Sequence, residues 1–137
     1  MSLSAPAIGC LRLPPGAEAP VVEAALAAGV RLFDTAPTYG SEPHAQERTL
    51  GALLRGHDVT VVTKVGMVRH RDRWRPDGRR KTLLADAERS ARAFGETLGR
   101  PPDLTLLHLP DPRVPFATSV RALAAATKAG LTGAVGL

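Results

Sequence analysis

Asp34, Tyr39, Lys64 and His108 are the side chains of this sequence best suited to moving a proton. Three of them close strand-like apolar runs: Asp34 ends Val30-Arg31-Leu32-Phe33, Lys64 ends Val59-Thr60-Val61-Val62-Thr63, and His108 ends Leu104-Thr105-Leu106-Leu107. Tyr39 follows Asp34 in a loop rich in Pro and Gly. It is the one tyrosine in the chain, so any tyrosine-dependent chemistry has a single candidate. A parallel β/α sheet or barrel gathers the C-terminal ends of its strands on one face, where residues distant in sequence can converge. A phenol beside an ammonium, a carboxylate and an imidazole can deliver a proton to a carbonyl oxygen. Taken singly, each residue also has a plain reading. Asp34 could be a turn residue, Tyr39 a packing ring with a hydrated hydroxyl, Lys64 a solvated charge and His108 a satisfied loop histidine.

The elements that must position these residues alternate in type. Strands are predicted at Ile8–Leu13, Val30–Thr35, Asp58–Lys64, Leu104–Leu109 and Gly133–Leu137. Helices are predicted at Glu18–Ala28, Ala45–Leu54, Thr82–Leu98 and Phe116–Lys128. Pro20 fits a first helical turn, Gly29, Gly56, Gly99 and Gly130 stand where helices stop, and Thr82 is a candidate N-cap. Strands alternating with helices imply right-handed βαβ units and a parallel sheet. Short apolar runs fit strands covered on both faces. Two architectures share this order. An open, doubly wound sheet of five strands would be complete at this length, whereas a (β/α)8 barrel needs roughly 250 residues and would be about half present. The first βα turn, Gly9-Cys10-Leu11, lacks G-x-G-x-x-G, so no dinucleotide fingerprint of the Rossmann type is indicated.

Composition narrows the classes. With 137 residues and 44% hydrophobic content the chain fits one folded domain. No apolar run approaches the roughly 20 residues of a spanning helix, and Met1-Ser2-Leu3-Ser4-Ala5-Pro6 has no secretory pattern. A single cysteine, Cys10, excludes an internal disulfide framework; it reads as a small buried residue. A cytoplasmic setting with no membrane partner is the expectation. His44, His57 and His70 read as surface residues, and no set of His, Cys and carboxylates has metal-ligand spacing. The net charge of +5 is local. Residues 69–81 hold Arg69, Arg71, Arg73, Arg75, Arg79, Arg80 and Lys81 against Asp72 and Asp77, and the remaining charges cancel. With Trp74 this loop invites a nucleic-acid reading. The favoured reading is a solvated loop between the third strand and third helix, so nucleic acid is not the expected partner. A lid that attracts anionic substrates is a further option.

At motif level the chain resembles the aldo-keto reductase family. Residues Gly29 to Gly40 match its signature G-x-x-x-[FI]-D-T-A-x-x-Y-G. Glu47-Arg48-Thr49-Leu50-Gly51 is similar to E-x-x-L-G, and Thr63-Lys64-Val65-Gly66 to T-K-x-G. Leu106-Leu107-His108-Leu109-Pro110-Asp111 resembles a compressed L-L-x-x-H-x-P-D, and Gly130 to Leu137 resembles G-K-I-R-A-I-G-V. The motifs occur in order over nearly the whole chain. Gln46 departs from the usual Ser or Asn, which moves the expected cap of the second helix to Ser41. Leu131, Thr132 and Gly133 replace Lys-Ile-Arg.

The resemblance implies an α/β fold of the (β/α)8 TIM-barrel type, about half present, with residues 1–137 as the N-terminal portion of a single domain. It implies NADPH-dependent reduction of aldehydes and ketones. In that reading Tyr39 is the general acid, Lys64 the cation that favours its ionised form, Asp34 the partner holding Lys64, and His108 the group orienting the carbonyl oxygen. The substrate would be a small carbonyl compound and the cofactor would carry the hydride. The family pattern continues past Leu137 with Ser-Asn and further strands. The expectation is therefore that this chain alone binds NADPH poorly and self-associates or needs a complementing half-barrel. The alternative is a non-catalytic remnant or regulatory subunit.

Overall fold

In the computed structural model, residues 6–71 and 73–137 are described. Residues 1–5, on which most of the leader reading rests, and Asp72 of the basic segment lie outside them. The main sheet has five parallel strands in the order β1 (Ala7–Gly9), β2 (Leu32–Asp34), β3 (Thr60–Val65), β6 (Leu104–Leu107) and β7 (Ala134–Gly136). Helices α1 (Glu18–Ala27), α2 (Ala45–Leu54), α3 (Arg80–Thr97) and α4 (Phe116–Lys128) connect them. The remaining strands, β4 (Met67–His70) and β5 (Arg73–Pro76), form a separate antiparallel hairpin between β3 and α3.

The strand order decides between the two architectures. A doubly wound sheet reverses at a switch point. Here each main-sheet strand that follows a helix pairs with the main-sheet strand preceding it in the chain, and successive helices pack on one another. That is the progression of a (β/α) barrel, with five strands and four helices of it present.

Each strand splits its side chains between two faces, because side chains alternate along a strand. Phe33, Val61, Thr63, Val65, Thr105 and Leu107 are buried. The apolar members of this set pack in two clusters under the helices, with Phe33 and Val61 beside Leu50, Leu54 and Phe94, and Val65 and Leu107 beside Leu83, Leu123 and Ala126. The alternate positions, including Asp34, Lys64 and Leu106, point to the opposite face, which corresponds to the interior of a barrel. Register then staggers the polar residues. Asp34 pairs with Val62, while Lys64 pairs with Leu106, two residues further on. His108 follows the last strand residue, its backbone N–H donating to Val65 O at 2.9 Å. This stagger is the register expected of tilted barrel strands.

Several element boundaries differ from the sequence reading. The first strand stops at Gly9, and Cys10–Arg12 forms a 3-10 turn closed by Leu13 N–H to Cys10 O at 3.1 Å. Pro14 and Pro15 follow and cannot extend a ladder. The second strand begins at Leu32, because Val30 N–H is used to close α1: it donates to Ala25 O at 2.9 Å across Gly29 in the left-handed region (φ 84). Helix α3 begins at Arg80, so Thr82 lies inside its first turn. The carboxylate at the helix start is Asp77, accepting Arg79 N–H at 3.1 Å. Ser41 does not cap α2. The residue preceding that helix is His44, at φ 64. Part of the basic segment lies in the antiparallel pairing of Met67–His70 with Arg73–Pro76, with Arg71 at φ 54 and Arg69 stacked 5.9 Å from the Trp74 ring centroid.

Candidate active site

The structure brings all four predicted residues to one end of the sheet. Lys64 is the hub. Its Nζ donates to Asp34 Oδ1 at 2.6 Å, to Asp34 Oδ2 at 2.7 Å and to the Thr35 carbonyl at 2.9 Å. The ammonium is thus held by both oxygens of one carboxylate and by a backbone carbonyl, with little freedom to turn. Lys64 Nζ also lies 5.0 Å from the centroid of the Tyr39 ring, within cation–π range. Tyr39 meets His108 edge to face, with ring centroids 6.1 Å apart and planes at 83°. Burial, and then the Lys64 cation, pushes the His108 imidazole below its ordinary pKa. It is therefore neutral at neutral pH. Its Nδ1 is buried without a hydrogen-bond partner among the described residues.

Local backbone explains why Tyr39 reaches this face. Thr35 N–H still follows the ladder, donating to Val62 O at 2.9 Å. The chain then turns, with Tyr39 N–H donating to Ala36 O at 3.0 Å and His44 N–H to Pro37 O at 2.9 Å. The loop is pinned at both ends and projects the phenol back over Lys64.

Beneath the cluster lies a buried polar network whose role the sequence reading missed. Glu47 is fully buried, accepting from the Thr63 hydroxyl at 2.5 Å and lying 2.5 Å from His44 Nδ1. Thr63 is the residue before Lys64. Gln46 accepts from the Thr35 hydroxyl at 2.8 Å and donates to Cys10 O at 2.8 Å. Thr35 follows Asp34, so the N-terminal turn of α2 grips β2 and β3 beside the residues that carry the cation and its carboxylate. The reading of His44 as a surface residue is corrected: its left-handed backbone folds the ring onto Glu47, and it is buried. One signal could have found the network. Glu47 shares helical spacing with Leu50, Gly51 and Leu54, so a carboxylate stands on the buried stripe of α2. His57 and His70 are exposed, as read from the sequence.

Cys10 is buried as expected, and its thiol is pushed up to about 12, first by burial and then by Asp34, which makes it a poor nucleophile. Among the described residues no group of three or more His, Cys, Asp and Glu side chains could hold a metal ion. No described helix is long and apolar enough to cross a membrane.

A sequential (β/α) barrel progression with this cluster at the C-terminal strand ends defines a class, and comparison with known proteins agrees with it. The model of the aldo/keto reductase family matches residues 8–137, and the chain belongs to that family of oxidoreductases. It is 30% identical over 122 residues to an aldo-keto reductase of Gibberella moniliformis, covering 86% of this chain and 35% of that protein. It is 36% identical over 110 residues to an uncharacterized oxidoreductase of Schizosaccharomyces pombe, covering 79% of this chain and 34% of that protein. Among solved structures, the glycerol dehydrogenase of Gluconobacter oxydans aligns with TM-score 0.77 and 28% identity over 95% of this chain and 43% of its own. The holo form of an aldo-keto reductase from Bacillus halodurans aligns with TM-score 0.77 over 95% of this chain and 45% of its own; at 22% identity it speaks for the fold alone. The chain spans about a third of the length of these curated relatives.

Proposed function

We propose that this chain carries the proton-handling part of an NADPH-dependent reductase of aldehydes and ketones, and that residues 1–137 supply the first portion of one barrel domain. The observation that carries the reading is the bidentate Lys64–Asp34 pair set 5.0 Å from the Tyr39 ring. Tyr39 and His108 offer a phenol and a neutral imidazole on one face, a donor set that fits the reacting end of a nicotinamide cofactor with a carbonyl substrate beside it. When bound, that cofactor supplies hydride to the carbonyl carbon.

The chain's residues handle the proton. Tyr39 gives its hydroxyl proton to the carbonyl oxygen as charge builds there. The Lys64 cation stabilises the phenolate left behind, and Asp34 with the Thr35 carbonyl fixes that cation in place. Solvent returns the proton to Tyr39 after the alcohol leaves. His108 orients the substrate. A buried N–H without an acceptor is costlier than a buried lone pair without a donor. The partnerless Nδ1 therefore favours the tautomer protonated on Nε2. That N–H donates to the carbonyl oxygen and aims it at the phenol.

The test is NADPH oxidation with a generic aldehyde by residues 1–137 completed with the remaining β/α units of a barrel, as wild type and as Tyr39→Phe. Loss of a general acid is expected to lower kcat by about a hundredfold or more, with the circular dichroism spectrum unchanged. Equal turnover by both proteins overturns the role of Tyr39. Absence of NADPH-dependent turnover with any aldehyde by the completed barrel overturns the reductase reading itself.

A further inference from the structure

The sequence repeats a short unit, Asp77-Gly78-Arg79 and Asp111-Pro112-Arg113, and the fold sets the two copies side by side at the N-terminal ends of α3 and α4. In each copy the arginine folds back on its own aspartate. Arg79 donates through Nε to Asp77 Oδ1 at 2.9 Å and through Nη2 to Oδ2 at 2.5 Å. Arg113 donates through Nε to Asp111 Oδ1 at 2.9 Å and through Nη2 to Oδ2 at 3.1 Å. Cross-links tie the copies together: Gly78 N–H to Asp111 Oδ2 at 3.1 Å, Arg113 Nη2 to Pro76 O at 2.7 Å, and Ser119 hydroxyl to Gly78 O at 3.0 Å. The aspartate side chains are only 6% and 2% exposed, whereas those of Arg79 and Arg113 are 72% and 65% exposed. Both guanidiniums are therefore fixed in orientation before any ligand arrives, and each keeps its Nη1 donors for an outside acceptor.

These two groups and Arg75 line one cavity of about 430 Å³ between the hairpin and the loop after β6. That volume lies within the roughly 300–1,000 Å³ range of small-molecule sites. Arg75 has no carboxylate partner among the described residues. Three guanidiniums against two carboxylates leave the lining net positive. An adjoining cavity of about 360 Å³ shares His70 and Arg75 and adds Arg71 and Arg73, with no carboxylate among its described lining residues.

We propose that this cavity is a binding site for a small phosphate monoester, separate from the Asp34, Tyr39, Lys64 and His108 cluster. The preset Nη1 donors of Arg79 and Arg113, together with the Arg75 guanidinium, match phosphate oxygens, and the immobilisation of the first two reduces the entropy lost on binding. A nucleic-acid strand is disfavoured because no Phe, Tyr or Trp is among the described lining residues to stack a base, the His70 imidazole being the one aromatic group there. Trp74 instead lines another cavity, with Pro37 and Thr38. Val68 borders both cavities, and Asp111 is three residues beyond His108. The site is thus at the rim of the face that carries Tyr39. Its phosphate could belong to the carbonyl substrate or to a free effector, and the chemistry of recognition is the same.

Isothermal titration of inorganic phosphate into the protein at physiological ionic strength tests this without requiring turnover. One saturable site is expected. Arg75→Gln, which removes no structural hydrogen bond, should weaken it about tenfold or more. Arg121→Gln, the same charge loss on the exposed surface of α4, should leave it unchanged. Absence of saturable binding, equal weakening by both variants, or an oligonucleotide that binds and is not displaced by phosphate overturns the proposal. Turnover assays then separate the sources. A lower KM for glyceraldehyde 3-phosphate than for glyceraldehyde, raised by Arg75→Gln, identifies the substrate's own phosphate. Phosphate that changes turnover of the neutral aldehyde without competing with it identifies an effector.

Discussion

A buried imidazole next to an ammonium has a consequence for stability. Burial first, and Lys64 second, hold His108 below the ordinary histidine value in the folded protein, while unfolding returns it to about 6.5. Between those values the unfolded chain binds more protons, so stability rises with pH there. The favourable contribution of the neutral ring is complete above the unfolded pKa and is lost as pH falls towards the folded one. The thermal midpoint of the wild-type protein should drop on acidification from pH about 7 to pH about 5 more steeply than that of His108→Gln. Parallel curves for the two proteins would show that His108 contributes nothing to the pH dependence. At this scale the site was largely legible in the sequence. Asp34, Lys64 and His108 close apolar runs, and the structure sets them together at one end of the sheet. His44 was not legible, because its burial depends on a left-handed backbone at φ 64 that nothing in a histidine signals.

Helix α2 does more than cover the sheet. Its first turn sends Gln46 to Thr35 and Cys10, and Glu47 to Thr63, so one element ties together the ends of β1, β2 and β3. A buried carboxylate is tolerated there because both oxygens are engaged. Glu47→Ala leaves the Thr63 hydroxyl and the His44 ring without their partner in a dry environment. It should cost about 3 kcal/mol in a urea melt and lower the kcat of the proposed reductase reaction, assayed in the completed barrel, through displacement of Lys64. Glu47→Gln keeps an acceptor for Thr63 and should lose less on both measures. Equal stability of Glu47→Ala and wild type would mean the network braces nothing. The alternating helices and strands of the barrel were legible because short apolar, β-branched runs alternate with Ala- and Leu-rich segments that glycines close. The hairpin was not. Met67–His70 and Arg73–Pro76 are rich in arginine and carry little apolar pattern. Their placement rests on tertiary contacts, such as Arg113 to Pro76 O, that no local window contains.

Among the described residues the sheet leaves two edges open, since β1 and β7 each pair on one side only. Parallel strands are stable when both faces are covered, yet Leu104, Leu106 and Val135 are only half-buried. Beside β7, an apolar groove of about 380 Å³ is lined by Val120, Leu123, Ala124, Val135 and Leu137, and Leu137 is 70% exposed. Unpaired backbone donors and acceptors next to an apolar groove form a template for another strand. As a polypeptide of these 137 residues, the chain is expected to self-associate or to take up a complementing β/α segment through this edge. Light scattering over a dilution series should give a mass above the single-chain 14.4 kDa that falls on dilution. Leu137→Lys places a charge at the exposed end of the groove and disturbs no core contact of the two buried clusters. It should therefore shift the mass towards one chain while the melting temperature of the dilute protein stays constant. A wild-type mass of 14.4 kDa at every concentration would refute association through this edge, and a Leu137→Lys protein that associates as strongly as wild type would place the contact elsewhere, at β1.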